Sequence, residues 1–332
     1  MTQTYDVVIS SPFPNYDFFA HRMMDLCGQM GMTFFFVNDV WIKEFTGKVE
    51  DGEIEVRVLL DLTADQMNPD DPYTKLAHEV KRRGGYVIDD PDRTAYVAHK
   101  GHLHKDLEKK KVPVPATVIV GKDELAGFKL TDEITEKVGS PFVVKPAWGD
   151  SGIGVVVNAT TQADFQRSVK ESPRSDAWLI QQQVTPVKLG QHTGWFRLYY
   201  MCGQVIPCWW DPGSHEYHLV TPGQVRRYKL EPLKRIVRGI ARTARIKKFS
   251  CEICLDEDGE FYAVDYVNAD PDMNPRSFYD NGVPDEVVRH IVWLLFTEAM
   301  RVVKRGQGFF DDDLASADEG WTNPRELEQQ LA

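Results

Sequence analysis

Apolar and polar residues along the chain fall into two stretches of different periodicity. In the first, YDVVIS predicts a strand, SPFPN a turn, and YDFFAHRMMDLCGQMG an amphipathic helix. TFFFVND and EVRVLLDL predict further strands, DQMNPDDP leads into a helix ending near Arg83, and GGYVIDD closes the unit near Asp90. Strands alternating with helices imply a parallel sheet covered by helices, with ligands at the mouth of the sheet. The loop from Ser10 to Asn15 is therefore expected to form a substrate rim.

The pattern changes near Pro91. TAYVAHKGHLHKDLEKKK predicts a basic helix, VPVPATVIV a strand entered through prolines, and residues 132–138 a short helix. FVVKPAWGDSGIGVVV has β-branched arms around a glycine-rich turn, which predicts two strands. A helix near Gln162 to Glu171, the strand AWLIQQQV, and the strand pair WFRLYYMCGQVIPCWW follow, the last turning at Cys202 and Gly203. After a polar loop come a helix from about Pro232 to Thr243 and the hairpin SCEICLDEDGEFYAVDYVN, whose DEDG is a strong turn signal. Mostly antiparallel strands with separate helices predict an α+β unit. The expected division is an α/β lobe at 1–90, an α+β domain at 91–305 and an acidic extension at 306–332.

Composition narrows the class. At 332 residues, 42% hydrophobic and 27% charged, the chain suits a soluble protein of two or three lobes. Its amino terminus lacks a basic start with a long apolar region, and no run approaches the ~20 apolar residues of a membrane span, so a cytoplasmic protein without membrane partners is expected. The net charge of -11 argues against a general nucleic-acid surface. From Arg305 onward seven acids stand against two arginines, so much of the excess is local and the body can hold a basic cleft. Of the five cysteines, Cys251 and Cys254 are close in sequence, but strand alternation points them to opposite faces.

Lys145 is the anomaly in an otherwise β-branched strand. Beside Gly149, Gly152 and Gly154 it sets a cation next to backbone N–H groups that can approach a ligand closely, a cradle for phosphates. Taken alone, that segment is better read as a solvent-facing lysine on an edge strand, since a glycine-rich turn by itself is weak evidence.

Five motifs in order settle the choice. Lys100 lies about thirteen residues before the VPVP strand entry, Lys145 heads the glycine-rich loop, and LIQQQV spans Leu179 to Val184. FRLYYMCGQVI then carries Arg197, and EICLDEDGEFYAVDYVN carries Glu252 and Asp265 on opposite arms. This order resembles the ATP-grasp superfamily, in particular the branch of D-alanine ligases, glutathione synthetases and ribosomal-protein glutamate ligases, over roughly Pro91 to Pro275. The resemblance implies a small parallel-sheet lobe preceding the ATP-grasp domain and nucleotide bound between two subdomains. It implies that Lys100 and Lys145 meet the α- and β-phosphates, and that the N–H groups of Ser151, Gly152 and Ile153 fold over the β- and γ-phosphates. Gln182 and the backbone through Val184 would read the adenine edge, and Glu252 and Asp265 would hold Mg²⁺ against the triphosphate.

Two departures from the family stand out. Its asparagine comes two residues after the second acid, where this chain has Val267, and Asn268 is third. A β-bulge is expected to rotate Asn268 back as the third metal ligand; otherwise Asp270 or Asp272 replaces it. Ser250 occupies the place of an arginine in D-alanine ligases, so that type of dipeptide ligation is not expected. Arg197 and Arg226 are the candidate catalytic cations for an acyl-phosphate or anionic substrate, with Arg227 beside the second. The implied activity is an ATP- and Mg²⁺-dependent carboxylate–amine ligase acting on small-molecule or peptide carboxylates and amines, with room for a homodimer. A small-molecule kinase on the same fold, or a nucleotide-binding protein without turnover, is the alternative.

Overall fold

The computed structural model describes residues 2–12, 17–62, 65, 68–149 and 151–305. Residues 13–15 of the expected rim, Asp150 of the glycine-rich turn and the extension at 306–332 lie outside the described residues. The first lobe runs β1 (Gln3–Ser10), α1 (Asp17–Gln29), β2 (Phe34–Val37), α2 (Ile42–Glu50), β3 (Ile54–Asp61), α3 (Pro72–Arg82) and β4 (Tyr86–Ile88). Its strands form one parallel sheet in the order β2-β1-β3-β4. Val7 to Ser10 are all buried, because helices cover both faces of such a sheet. Helix α2 is absent from the sequence reading, although Ile42, Phe45, Thr46 and Val49 are buried at helical spacing.

The chain continues through α4 (Pro91–Ala98), α5 (Lys100–Lys109), β5 (Thr117–Gly121), α6 (Asp132–Val138), β6 (Phe142–Pro146), β7 (Val156–Ala159), α7 (Gln162–Glu171) and β8 (Ala177–Gln182). The basic helix expected over this stretch is thus two helices. His99 is extended between them, ending α4 and accepting the N–H of His102 as the cap of α5. Strands β5 to β8 form an antiparallel sheet in the order β5-β8-β6-β7. Phe142, Val144, Val156, Trp178 and Ile180 fill the core on one of its faces, so the intervening Val143 and Lys145 point from the other.

The remainder comprises β9 (Lys188–Leu189), β10 (His192–Thr193), β11 (Trp195–Met201), β12 (Gln204–Asp211), β13 (Glu216–Leu219), α8 (Pro222–Tyr228), α9 (Glu231–Ala244), β14 (Lys248–Leu255), β15 (Phe261–Asn268) and α10 (Asp285–Arg305). Five of these strands form an antiparallel sheet in the order β13-β12-β11-β14-β15. One core joins Val7, Ile9 and Leu60 of the first lobe to Tyr199, Ile206 and Trp210 of this sheet, with Val288, Ile291 and Leu295 of α10 between them. A polar joint reinforces it. The Asp89 carboxylate accepts the N–H groups of Lys247 (2.6 Å) and Lys248 (2.9 Å), tying the end of β4 to the start of β14. All five cysteines are free, and no helix among the described residues is long and apolar enough to cross a membrane.

One buried group weakens this core in acid. His290 of α10 is 5% exposed and neither ring nitrogen has a hydrogen-bond partner. Burial pushes its pKa from 6.5 down to about 4, so the unfolded chain binds the extra proton first and stability falls as pH drops through that window. Between pH 7 and pH 5 the native chain is expected to lose about 2 kcal/mol more than His290→Leu, read from urea unfolding at the two pH values. Parallel losses in both proteins would mean that water or a partner already solvates the ring.

Candidate functional site

Strand β6 delivers Lys145 into the space between the antiparallel sheet and β15. The side chain is 6% exposed, its Nζ donates to the carbonyl of Val264 at 2.7 Å, and it lies over the Tyr266 ring at 5.2 Å. Burial, with Lys100 adding to it, pushes the ammonium from 10.5 down to about 8, while Asp265 and Glu252 pull the other way. Lys100, the first residue of α5, reaches Asp265 as well. Its N–H donates to the carbonyl of Ala147 (2.8 Å), and its Nζ donates to the carbonyl of Gly149 (2.7 Å) and stands 4.0 Å from Asp265 Oδ1. The two lysines, separated by forty-four intervening residues, therefore both reach β15, Lys100 at the Asp265 carboxylate and Lys145 at the Val264 carbonyl.

Ser151, Gly152 and Ile153 are exposed at the tip of the glycine-rich turn. Gly149, Ser151, Gly152 and Gly154 all have positive φ, which the glycines adopt without steric cost in a tight turn. Gly154 is also required sterically, since a Cβ there would stand 2.8 Å from the Cβ of Ser172. Val155 and Val157 are exposed on either side of the buried Val156, on the same sheet face as Val143 and Lys145. They form an apolar floor that the sequence reading did not single out, though strand alternation from Val156 could have found it.

The acidic hairpin carries the bulge. Glu252 pairs with Asp265 and Ser250 with Asn268, so two steps along β14 match three along β15. Ser250 and Glu252 share a face, and the extra residue brings Asn268 onto the same face as Asp265, where regular alternation would have put Val267. Val267 is instead buried in the apolar core. Asn268 Oδ1 accepts the N–H of Asp270 at 3.1 Å.

Glu252 is held on both oxygens. Trp195 Nε1 donates to Oε2 at 2.9 Å, and Arg197, its direct cross-strand partner, donates to Oε1 from Nη2. Arg197 also donates to the Tyr217 hydroxyl (2.9 Å), which donates to Asp272 Oδ2 (3.2 Å), and its guanidinium lies 4.1 Å over the Trp210 ring. Burial opposes the arginine charge, but Glu252 beside it more than compensates and holds its pKa above the ordinary value. Trp195 and Tyr217 are site residues that the spacing of motifs did not reveal, because their contacts arise only from strand pairing; Asp272, expected as an alternative metal ligand, instead accepts from Tyr217.

Arg226 is not brought to this cluster. It is exposed on α8, whose Val225 packs with Phe196 and Trp209, whereas Arg197 shares the opposite sheet face with Cys208 and Trp210. The chain leaves the edge strand β13 and crosses to that other face at Val220, which separates the two arginines. Gln182 turns its Oε1 to the N–H of Ala116 (3.3 Å) while its own N–H bonds the Ala116 carbonyl, and Val184 beyond it is buried. A hollow of about 390 Å³ beside Gln182 is lined by residues 136–141, Gln183 and Thr185, and includes neither lysine nor either acid.

The donor set fits Mg²⁺. Asp265 Oδ1 is a buried oxygen without a hydrogen-bond partner, although 38% of the side chain is exposed, and it faces Glu252 across the hairpin. No group of three His, Cys, Asp or Glu side chains suited to a metal occurs among the described residues. Mg²⁺ takes one or two carboxylates and completes its shell with phosphate and water, which two paired acids suffice to provide.

No family profile matches the chain, and no curated protein matches it. Solved structures are similar over nearly the whole length. D-alanine–D-alanine ligase from Bacillus anthracis complexed with ATP is 12% identical, covering 92% of this chain and 100% of that one at a TM-score of 0.62. The ATP-grasp ligase PsnB complexed with precursor peptide PsnA2 and AMPPNP is 14% identical, covering 91% and 97% at a TM-score of 0.57. A RimK domain ATP-grasp protein from Sphaerobacter thermophilus is 16% identical, covering 87% and 99% at a TM-score of 0.57. With a parallel-sheet lobe leading into two antiparallel sheets, and two lysines, a glycine turn and a bulged acidic hairpin between them, this chain has the ATP-grasp fold.

Proposed function

We propose that the protein is an ATP- and Mg²⁺-dependent ligase that joins a carboxylate to an amine. The observation that carries this reading is Asp265 Oδ1, which accepts no hydrogen bond, stands 4.0 Å from the Lys100 ammonium and pairs across the hairpin with Glu252, while Lys145 is buried against Val264 of the same strand. Phosphates would meet the two ammonium groups and the N–H groups of Ser151, Gly152 and Ile153, and the purine would lie on Val143, Val155 and Val157, near Gln182 and Val184. Glu252, Asp265 and Asn268 would hold Mg²⁺, which supplies charge neutralisation along the triphosphate.

In the proposed reaction the substrate carboxylate oxygen attacks the γ-phosphorus and ADP leaves, giving an acyl-phosphate. An amine then attacks the acyl carbon, phosphate leaves, and the amine gives up a proton as the amide forms. The chain's part is positioning and fixed charge, with Arg197 orienting Glu252 at the edge of the cleft. The neighbours bind a precursor peptide with AMPPNP in one case and ATP in another, which supports an ATP-dependent reaction and a peptide as one class of substrate.

Mg²⁺ with ATP at about 100 times Kd is expected to stabilise the protein by about 2.7 kcal/mol, read as a rise in melting temperature that EDTA abolishes. Incubation with ATP and mixed carboxylates, amines and peptides should release ADP and free phosphate together with a dehydrated conjugate detected by mass. ADP release with phosphate retained on the substrate would overturn the ligase reading in favour of a kinase.

Asn268→Ala tests the bulge. It is expected to weaken Mg²⁺-dependent ATP binding about tenfold, because it removes one oxygen from an ion intolerant of poor geometry, and to lower the melting temperature of the free protein by no more than about 4 °C through loss of the bond to the Asp270 N–H. An unchanged Mg²⁺ titration would remove Asn268 from the metal set.

A further inference from the structure

We infer that His99 is a positioning residue for the nucleotide cleft, setting Lys100 in place through one buried ring and its contact with Asp176. This inference rests on the nucleotide reading above. His99 is 4% exposed and occupies the single extended position between α4 and α5. Its Nδ1 accepts the N–H of His102 at 3.0 Å, which puts the ring proton on Nε2, and Nε2 stands 3.0 Å from Asp176 Oδ1 to donate it. A neutral ring is required for both bonds to exist, and burial lowers the pKa of His99 accordingly, with His102 adding to it.

The ring also organises its surroundings. It stacks on His102 at 3.8 Å and meets the edge of Trp148 at 5.2 Å. Gly101 is small for this reason, since a Cβ there would lie 2.9 Å from His99 Cε1. Trp148 begins the glycine turn, and its N–H is held by Ser175 Oγ at 3.3 Å, one residue from Asp176. Lys100 follows His99 directly, with its N–H on Ala147, its Nζ on Gly149 and Asp265 4.0 Å away. The start of α5, the start of the turn and the start of β8 are therefore fixed to one another through this imidazole. Any tilt of the ring moves the ammonium that the phosphates would meet.

The test measures Kd for Mg·AMPPNP by calorimetry in the full chain and its variants, with a thermal melt of each free protein. His99→Ala is expected to weaken binding about tenfold, the scale of losing a helix cap. His99→Asn, which keeps a capping oxygen, should recover most of that loss. In a Lys100→Ala background the His99→Ala change should have no further effect, because a residue that acts by placing Lys100 loses its role when Lys100 is gone. Additive losses, or wild-type affinity in His99→Ala, would overturn the inference. Should His99→Ala fail to fold, Asp176→Ala at the exposed end of the pair takes its place with an expected loss of about threefold, and unchanged affinity there overturns the inference equally. Failure of the native chain itself to bind Mg·AMPPNP would instead remove the nucleotide reading, so the two failures are distinct.

Discussion

Lys145→Met is expected to abolish Mg·ATP binding and to raise the melting temperature of the free protein. The two effects have one cause. The ammonium is buried against Val264 and Tyr266, and its fall from 10.5 to about 8 corresponds to about 3 kcal/mol of charge-burial cost in the folded state. Removing the charge relieves that cost, and losing the bond to the Val264 carbonyl offsets about 1 kcal/mol of it, leaving a net gain on the order of 1–2 kcal/mol. Because the folded pKa is depressed, the native chain sheds the proton more readily than the unfolded chain. Its stability therefore rises with pH between about 8 and 10.5, and the advantage of the variant is full below pH 8 and shrinks across that window. ATP would reverse the depression, since phosphate charge favours the ammonium. Urea unfolding at pH 7 and pH 10, beside calorimetry with Mg·ATP, checks both halves. A destabilised variant that still binds ATP would show that the lysine is structural.

Arg197→Met is expected to cost about 3–5 kcal/mol, because it leaves Glu252 charged and without its partner in a site where both side chains are largely buried. The double replacement Arg197→Met/Glu252→Leu should regain most of that loss, since the apolar pair fills similar volume beside Trp210 without an unpaired charge. Neither protein should respond to Mg²⁺ with ATP. The comparison separates the fold from the proposed site: stability returns in the double variant and ligand binding does not. A loss below about 1 kcal/mol for Arg197→Met would mean that the pair behaves as a solvated surface bridge.

Much of the architecture was legible locally. Caps, prolines and turn residues mark where elements begin. Asp71 and Asp90 each precede a proline and accept an N–H three residues on, and Thr161 closes a capping box at the start of α7. The limits of α6 and α7 agree with expectation to the residue for the same reason. Less legible was α10. Its apolar residues face both the first lobe and the five-stranded sheet, so no single stripe distinguishes a core-facing side from a solvent side. The break at His99 was equally hidden, because a histidine capping its own helix through Nδ1 has no sequence signature comparable to serine or aspartate.

By itself, the sequence determined most of the elements in order, though not α2, α10 or the break at His99. It also determined the strand–helix alternation of the first lobe, the glycine turn after Lys145 and the acids on two arms of a hairpin, since each depends on residues within about fifteen positions of one another. Only the tertiary structure decided which of these meet. It put Asn268 rather than Val267 beside Asp265 through one extra residue in β15, paired Arg197 with Glu252, and left Arg226 across the sheet. The physical reason is that register and sheet face are set by contacts between distant strands, and a shift of one residue reverses every side chain that local pattern had assigned.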